Sequence, residues 1–542
     1  MNRPWKGRRT VNFLYRGGGK GRHEGSNCKM LESYFDTGSP TVMSQSALPP
    51  DQFLYSRKGP WPQPSPAHPL LEAMEVLNIP PIESALWNAT IGERYLQTQL
   101  NYQGMAAELA VAKAQYTTPT DQHFQEMMLE SCFQRFLKPL SRHDRDLLAH
   151  QTLAPGTVFP DYKYDFSAME LVTPLEGLFC APTRLFIAGT PNTQMSCVAI
   201  AVGSILIQPH DPAWGLAKVY AMQGASYHIL FVVHPALHFP MDSVNAITKT
   251  AVPYSHPLFQ LLYPHTSYTL ALDNGVLESE FSVVNENARG TWFDPFTGNA
   301  YNLKLLFGAG YTGLPDKPYA DAYPAFDYMR PSLLKLSDSP SSSVFDQSYS
   351  KWLTAYFQQA FLPFCLTVAK AILGSDPQDT YVKRWARYLN LCVRGFPNEQ
   401  EILDAECLAT TMAIYIWGVS VGHGADHHSF AYHVPVVDKF LRIRRVPPTS
   451  KNDPPVVPGE ISTGDDRYRA EMCQQLFFKP FTIPPDLIST CYAFTDPSLS
   501  ASQSKFHDDL LIVSKSTELK QFMPLVPKDH PSSSVIPASI QY

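Results

Sequence analysis

Apolar and polar positions along the chain fall into long stretches of helical period with a short β-like island between them. From residue 67, HPLLEAMEVLNIPPIESALWNATIGERYLQTQLNYQGMAAELAVAKAQY places apolar side chains near a 3.6-residue spacing, which predicts helices broken at Pro80-Pro81. Residues 184–208, RLFIAGTPNTQMSCVAIAVGSILIQ, have β-branched runs separated by turn formers and predict two or three strands. Helical patterns then dominate, most clearly over 213–238, 240–264, 350–374, 380–394 and 398–428. SDSPSSS at 337–343 and the Pro-, Ser- and Asp-rich run 446–466 predict surface loops. Residues 1–66 combine Gly, Pro, Ser and basic side chains without a sustained apolar period, the pattern of a flexible extension. No internal repeat is visible, and no ~110-residue run of regularly spaced strands marks a β-sandwich near the N-terminus. The expectation is a mainly α protein, with one large helical domain over 67–542 and a small β subdomain.

Composition sharpens this picture. The 542 residues are 44% hydrophobic and 17% charged, with 43 Lys+Arg against 49 Asp+Glu. Average chains carry ~25% charged residues, so this one has much apolar matter to bury. That excludes a disordered chain, and the slightly acidic balance excludes nucleic-acid binding by bulk electrostatics. One uncharged stretch in a candidate helix, Cys407–Gly422, has 16 residues and falls short of the ~20 that cross a bilayer. The first 23 residues hold seven Lys/Arg and lack the apolar run of a secretory signal. Arginine richness there also fits a transit peptide or a nucleic-acid arm, but a flexible extension is the plainer reading. The nine cysteines are scattered with no CxxC, which predicts reduced, mostly buried thiols in a cytoplasmic protein.

Histidine placement carries the chemistry. Of 17 histidines, five lie between His228 and His265 and four between His423 and His433. Even scatter would put roughly one or two in those windows. Each window holds an i, i+4 pair, His234/His238 and His423/His427, within apolar sequence of helical period, so each pair shares a helix face. A single such pair is usually solvated or satisfied locally. Two pairs on apolar helices point to a shared cation, because four buried imidazoles without a partner lose solvation and gain nothing. Neutral imidazole suits Fe, Mn, Cu, Zn or Ni, and spacing alone leaves that choice open.

The residues around the pairs narrow it. Residues 213–238, AWGLAKVYAMQGASYHILFVVHPALH, followed by HPLFQLLYPHTSYTL at 256–270, resemble the central stretch of the lipoxygenases. AECLATTMAIYIWGVSVGHGADHH (405–428) resembles the family's second ligand helix. FFKPFTIPP (477–485), CYAFTDP (491–497) and the closing PASIQY resemble its C-terminal region, so the similarity covers roughly residues 170–542. The resemblance implies a large helical catalytic domain that binds one non-heme Fe or Mn ion through His234, His238, His423, His427 and the main-chain carboxylate of Tyr542. The three-residue gap between His234 and His238 is similar to that of the fungal manganese members. His428 competes with His427 for the fourth position. Ile229 stands where many members have a glutamine that hydrogen-bonds beside the ligands, and Tyr542 is bulkier and more polar than the family's usual last residue. His228, His256 and His265 are expected to do structural work, His265 by capping carbonyls at a helix end.

The same resemblance implies dioxygenation of polyunsaturated fatty acids carrying a cis,cis-1,4-pentadiene, with O2 as co-substrate and a hydroperoxide as product. Hydrogen abstraction then falls to a hydroxide on the metal, so no side chain is assigned a catalytic role. A need for +2 and +3 states argues against zinc. Leu261 and Leu262 are candidates to pack the diene, with plain core packing as the alternative. Counting from His265 puts the family's small-residue switch for product specificity at Val276, beside Gly275. Arg184, Lys218 and Lys249 are candidate partners of a substrate carboxylate, ordinary surface charge being the commoner role. The expected partner is a fatty acid, not a nucleic acid, with peripheral membrane contact left open. Two other readings stand beside this one. One is a lipoxygenase-fold protein with altered or lost activity, such as hydroperoxide conversion, for which Ile229 and Tyr542 speak. The other is a helical protein whose histidines hold a structural zinc.

Overall fold

The structure, a computed structural model, describes Ile79 and residues 118–540 apart from 152, 190–194, 279–294, 299, 332–352, 429, 431–438, 458, 475–485 and 516–535. The expected extension 1–66, the helices of 67–117, the loop 337–343, FFKPFTIPP and Tyr542 lie outside the described residues.

Helix α1 (Asp121–Glu130) starts at Thr120, whose side chain accepts a hydrogen bond from the His123 amide and so satisfies one of the open donors of the first turn. A five-stranded antiparallel sheet follows, its strands adjacent in sequence order: β1 (Lys138–Pro139), β2 (Tyr162–Asp165), β3 (Thr183–Ala188), β4 (Ser196–Val202) and β5 (Ile205–Ile207). The segment 184–208 supplies the last three, as its pattern predicts. β1 and β2 span two and four residues, too few for an alternation to show. Helix α2 (Arg142–Ala149) lies between them, opened by a capping box of Ser141 and Asp144.

Beyond the sheet the chain is helical. Helix α3 (Trp214–Tyr227) runs through a π turn (His228–Val233) into α4 (Pro235–Ala251). Almost every residue of this continuous element is buried, as befits a helix that is apolar on all sides. The predicted break between 238 and 240 is absent, because Pro240 sits inside α4. Proline there removes one backbone hydrogen bond, and packing around the whole helix outweighs that local loss. Then come α5 (Pro257–Leu262), α6 (Thr269–Glu278) and α7 (Ala300–Thr312). A second π turn (Phe357–Phe361) leads into α8 (Leu362–Ser375), followed by α9 (Thr380–Cys392) and α10 (Ala405–Trp417). α10 continues through a third π turn (Gly418–Gly422) into α11 (His423–His428). Helices α12 (Gly464–Cys473) and α13 (Pro497–Lys515) complete the described set. A large apolar core runs through these helices and one face of the sheet.

Two readings of the sequence need correction. Two continuous helices, Leu353–Ser375 and Ala405–His427, are long and apolar enough to span a bilayer by length and composition, where the charge-free run suggested none. The helix continues past Gly422 through uncharged histidines, and Ala405–His427 is mostly buried inside the fold. Cys132, Cys180, Cys197, Cys365, Cys407 and Cys473 are free thiols, but Cys491 is disulfide-bonded. Absence of CxxC excludes only partners close in sequence, whereas a disulfide needs partners close in space.

Candidate metal centre

Two π turns aim the histidines. His228–Val233 directly precedes His234, and Gly418–Gly422 directly precedes His423. A π turn rotates everything downstream of it relative to an unbroken α-helix, and such turns are frequent at functional sites. The first is braced by α7, which crosses so closely that a Cβ on Gly310 would lie 1.9 Å from the carbonyl oxygen of Val232. Only glycine permits that approach.

The four paired imidazoles converge. His238 Nε2 lies 2.9 Å from His234 Nε2 and 3.0 Å from His423 Nε2, and His427 Nε2 lies 3.0 Å from His234 Nε2. All four ligand nitrogens fall within 4.8 Å of one another. His238, His423 and His427 are buried, while His234 leaves 12% of its side chain exposed. The side chain of His428 is outside the described set.

The far nitrogens of the first pair meet carboxylates. His234 Nδ1 lies 3.4 Å from Asp426 Oδ2, and His238 Nδ1 lies 2.8 Å from Asp273 Oδ1. An ionised carboxylate only accepts, so each Nδ1 carries the proton and each Nε2 presents a lone pair. Two lone pairs facing each other at 2.9 Å repel unless a cation sits between them, so this donor set fits a metal ion. Three of the separations are 2.9–3.0 Å, which brings the four nitrogens within reach of one shared ion.

Electrostatics agrees with neutral ligands. Burial pushes the His234 imidazole down to about 4 and that of His238 to about 3. Burial alone would raise Asp426, but the Arg135 guanidinium, with Nη1 2.5 Å from Oδ1, and His234 hold it below the usual carboxylate range. Asp273 sits against Asp242, four residues beyond His238 on α4. Burial raises both acids, and the neighbouring charge of Asp273 lifts Asp242 further.

The remaining singled-out residues lie elsewhere. His228 donates from Nδ1 to Gly224 O at 2.9 Å and accepts at Nε2 from the Tyr323 hydroxyl. His256 accepts from Leu258 N at the start of α5 and donates to Asp379, itself the cap of α9. His265 donates from Nδ1 to Ala538 O at 2.6 Å and accepts from the Tyr492 hydroxyl at 2.9 Å. It does cap a carbonyl, though one supplied by the C-terminal tail and not by its own helix. Lys218 and Lys249 are buried, contrary to the surface role expected of them; Lys218 Nζ lies 2.7 Å from Asp121 Oδ1 and Lys249 Nζ lies 6.0 Å from the centre of the Tyr263 ring. Their long apolar stems make that burial possible. Arg184 pairs loosely with Asp144 at 3.6 Å. Leu261 and Leu262 are fully buried on α5, and Val276 is half-buried on α6. Ile229 is buried in the π turn, and its aliphatic side chain offers no hydrogen bond, though its carbonyl accepts from the His234 amide at 3.0 Å.

The tail reaches the centre's neighbourhood. Ile536 O accepts from Leu487 N at 2.8 Å, and Ser539 Oγ donates to Ser267 O at 3.0 Å. Next to His423, a Cβ on Gly424 would meet Ile536 and Pro537 at 3.5 Å, an ordinary packing distance. Sequence reading missed Asp273, Asp426 and Arg135. Asp426 was visible three residues after His423 on the same helix, but Arg135 lies 291 residues from its partner and carried no local signal.

Fold and site define a mainly α protein with a histidine-rich centre fit for one metal ion. No protein-family model matches the chain. The mouse polyunsaturated fatty acid lipoxygenase ALOX12 is 25% identical over 329 residues, 56% of this chain and 46% of that protein. The rabbit polyunsaturated fatty acid lipoxygenase ALOX15 is 21% identical over 443 residues, 75% of this chain and 62% of that protein. The chain spans about half the length of the curated relatives it matches. The manganese lipoxygenase of Gaeumannomyces graminis shares the fold with a TM-score of 0.60 at 14% identity, over 95% of this chain and 98% of that one. A lipoxygenase variant crystallised with arachidonate shares it with a TM-score of 0.64 at 16% identity, over 86% and 78%. The chain has the lipoxygenase fold and is similar in sequence to lipoxygenases.

Proposed function

We propose that the protein is a metal-dependent dioxygenase that adds O2 to polyunsaturated fatty acids with a cis,cis-1,4-pentadiene, giving hydroperoxides. His234, His238, His423 and His427 hold one non-heme Fe or Mn ion, and the Tyr542 main-chain carboxylate completes the set. The observation that carries this reading is the convergence of the Nε2 atoms at 2.9–3.0 Å, with both Nδ1 protons of the first pair committed to carboxylates. The buried course of the tail as far as Ile540 supports the carboxylate ligand. The arachidonate-bound neighbour supports a fatty-acid substrate.

The ion supplies one-electron chemistry between its +2 and +3 states, which zinc lacks. The chain's own residues set the conditions for that chemistry. Neutral, buried imidazoles leave the positive charge on the ion, and the apolar surroundings exclude bulk water. Leu261 and Leu262 form an apolar wall suited to an acyl chain, and Val276 on the next helix limits how the chain lies along it. Metal analysis together with conjugated-diene formation from linoleate tests the proposal. Stoichiometric Fe or Mn with diene formation supports it, and stoichiometric zinc without diene formation contradicts it.

A further inference from the structure

Each imidazole of the first pair is backed by a buried carboxylate, and each carboxylate has its own partner. Asp426, 1% exposed, joins His234 on one side and Arg135 on the other, the guanidinium reaching in from the short helical segment Cys132–Phe136. Asp273 on α6, 2% exposed, joins His238 and abuts Asp242. Neither acid is solvated, and each accepts from a ring whose other nitrogen faces the candidate metal.

We propose that Asp273 and Asp426 are positioning residues that set the tautomer of His238 and His234 and, as buried hydrogen-bond acceptors behind the ligands, favour the oxidised state of the bound metal. This inference rests on the metal-binding reading above. A hydrogen-bonded carboxylate raises the basicity of an imidazole ligand, and removing such a partner typically costs about 10–100-fold in metal affinity. Arg135 works against the charge of Asp426, so it tempers the effect at His234 while fixing the carboxylate in place. The two relays therefore make opposite predictions for acid and base. Replacing either aspartate by its neutral isostere raises the metal's midpoint potential, and replacing Arg135 by an uncharged hydrogen-bond donor lowers it.

The test uses the full chain loaded with Fe or Mn. Asp273→Asn, Asp426→Asn and Arg135→Gln are compared with the wild type for metal dissociation constant and for midpoint potential by redox titration. The expected result is a loss of about 10–100-fold in affinity for both Asn variants, an upward shift in their potentials, and a downward shift for Arg135→Gln. Asp426→Glu, which keeps the charge, returns the potential toward the wild-type value. A merely structural role would lower melting temperature and leave the potentials unmoved, and that outcome overturns the inference. Asn variants that fail to fold also overturn it, since an isosteric amide should keep the packing. Failure of the wild type to bind Fe or Mn sinks the metal-binding reading itself, whereas a metal-loaded wild type with unshifted variants sinks only the role of the two aspartates.

Discussion

His265 and Ala538, 273 positions apart in the chain, are joined by a 2.6 Å hydrogen bond from the imidazole Nδ1 to the main-chain carbonyl. The other ring nitrogen accepts from Tyr492, so the buried ring has both its nitrogens satisfied and clamps the tail against the helices around the candidate centre. Replacing His265 by Phe keeps an aromatic ring but leaves a buried carbonyl and a buried hydroxyl unpaired. Each orphaned group costs about 1–3 kcal/mol. The expected result is a lower thermal midpoint and a reduced metal-to-protein ratio, because the tail that carries the fifth proposed ligand loses its seat. An unchanged metal ratio in a folded variant would show that the tail does not depend on this clamp.

Gly310→Ala tests the bracing of the first π turn. Its new methyl group would overlap the Val232 carbonyl, two residues before His234. Overpacking of this kind costs about 1–3 kcal/mol, occasionally more, and here it also displaces a proposed ligand. Both stability and metal affinity should fall. Gly374→Ala on α8 is the control, since its Cβ meets nothing within 4 Å. It should stabilise the helix by about 0.5–1 kcal/mol and leave metal binding alone. Equal behaviour of the two variants would remove the π turn from the account.

Acid sensitivity follows from His228 and His265, which are buried neutral and are not proposed ligands. Burial lowers the first to about 3 and the second to about 4, against ~6.5 in an unfolded chain. Below pH ~6.5 the unfolded state therefore binds more protons, and stability falls with pH at about 1.4 kcal/mol per unit for each ring. The loss continues until the folded values near 4 and 3 are reached. Above neutrality these two groups contribute no slope. Denaturant midpoints measured from pH 7 to pH 5 should fall, and His228→Gln should flatten the curve by one ring's share. An identical pH slope in that variant would rule out the assignment.

Much of this was readable from the chain. The strands of 184–208, the two histidine pairs and the main helices follow from local period and composition. Several features escaped for physical reasons. The continuity of α4 through Pro240 depends on packing from all sides, which propensity does not register. The disulfide at Cys491 and the Arg135–Asp426 pair depend on tertiary contact and have no signature in spacing. Lys218 and Lys249 read as surface charges because type alone says so, yet both are buried. The site was legible because i, i+4 spacing makes neighbours on a helix face. Which second helix they meet, and at what distance, was written only in the fold.

Metal content and diene formation in His238→Ala and His423→Ala, set beside the wild type, test the central claim most directly. Each substitution removes one nitrogen from a different helix and leaves the other three in place. The account predicts that the wild type carries one Fe or Mn per chain, consumes O2 and forms a conjugated diene from linoleate, while both variants lose metal and activity together. Variants that keep both metal and activity would contradict it.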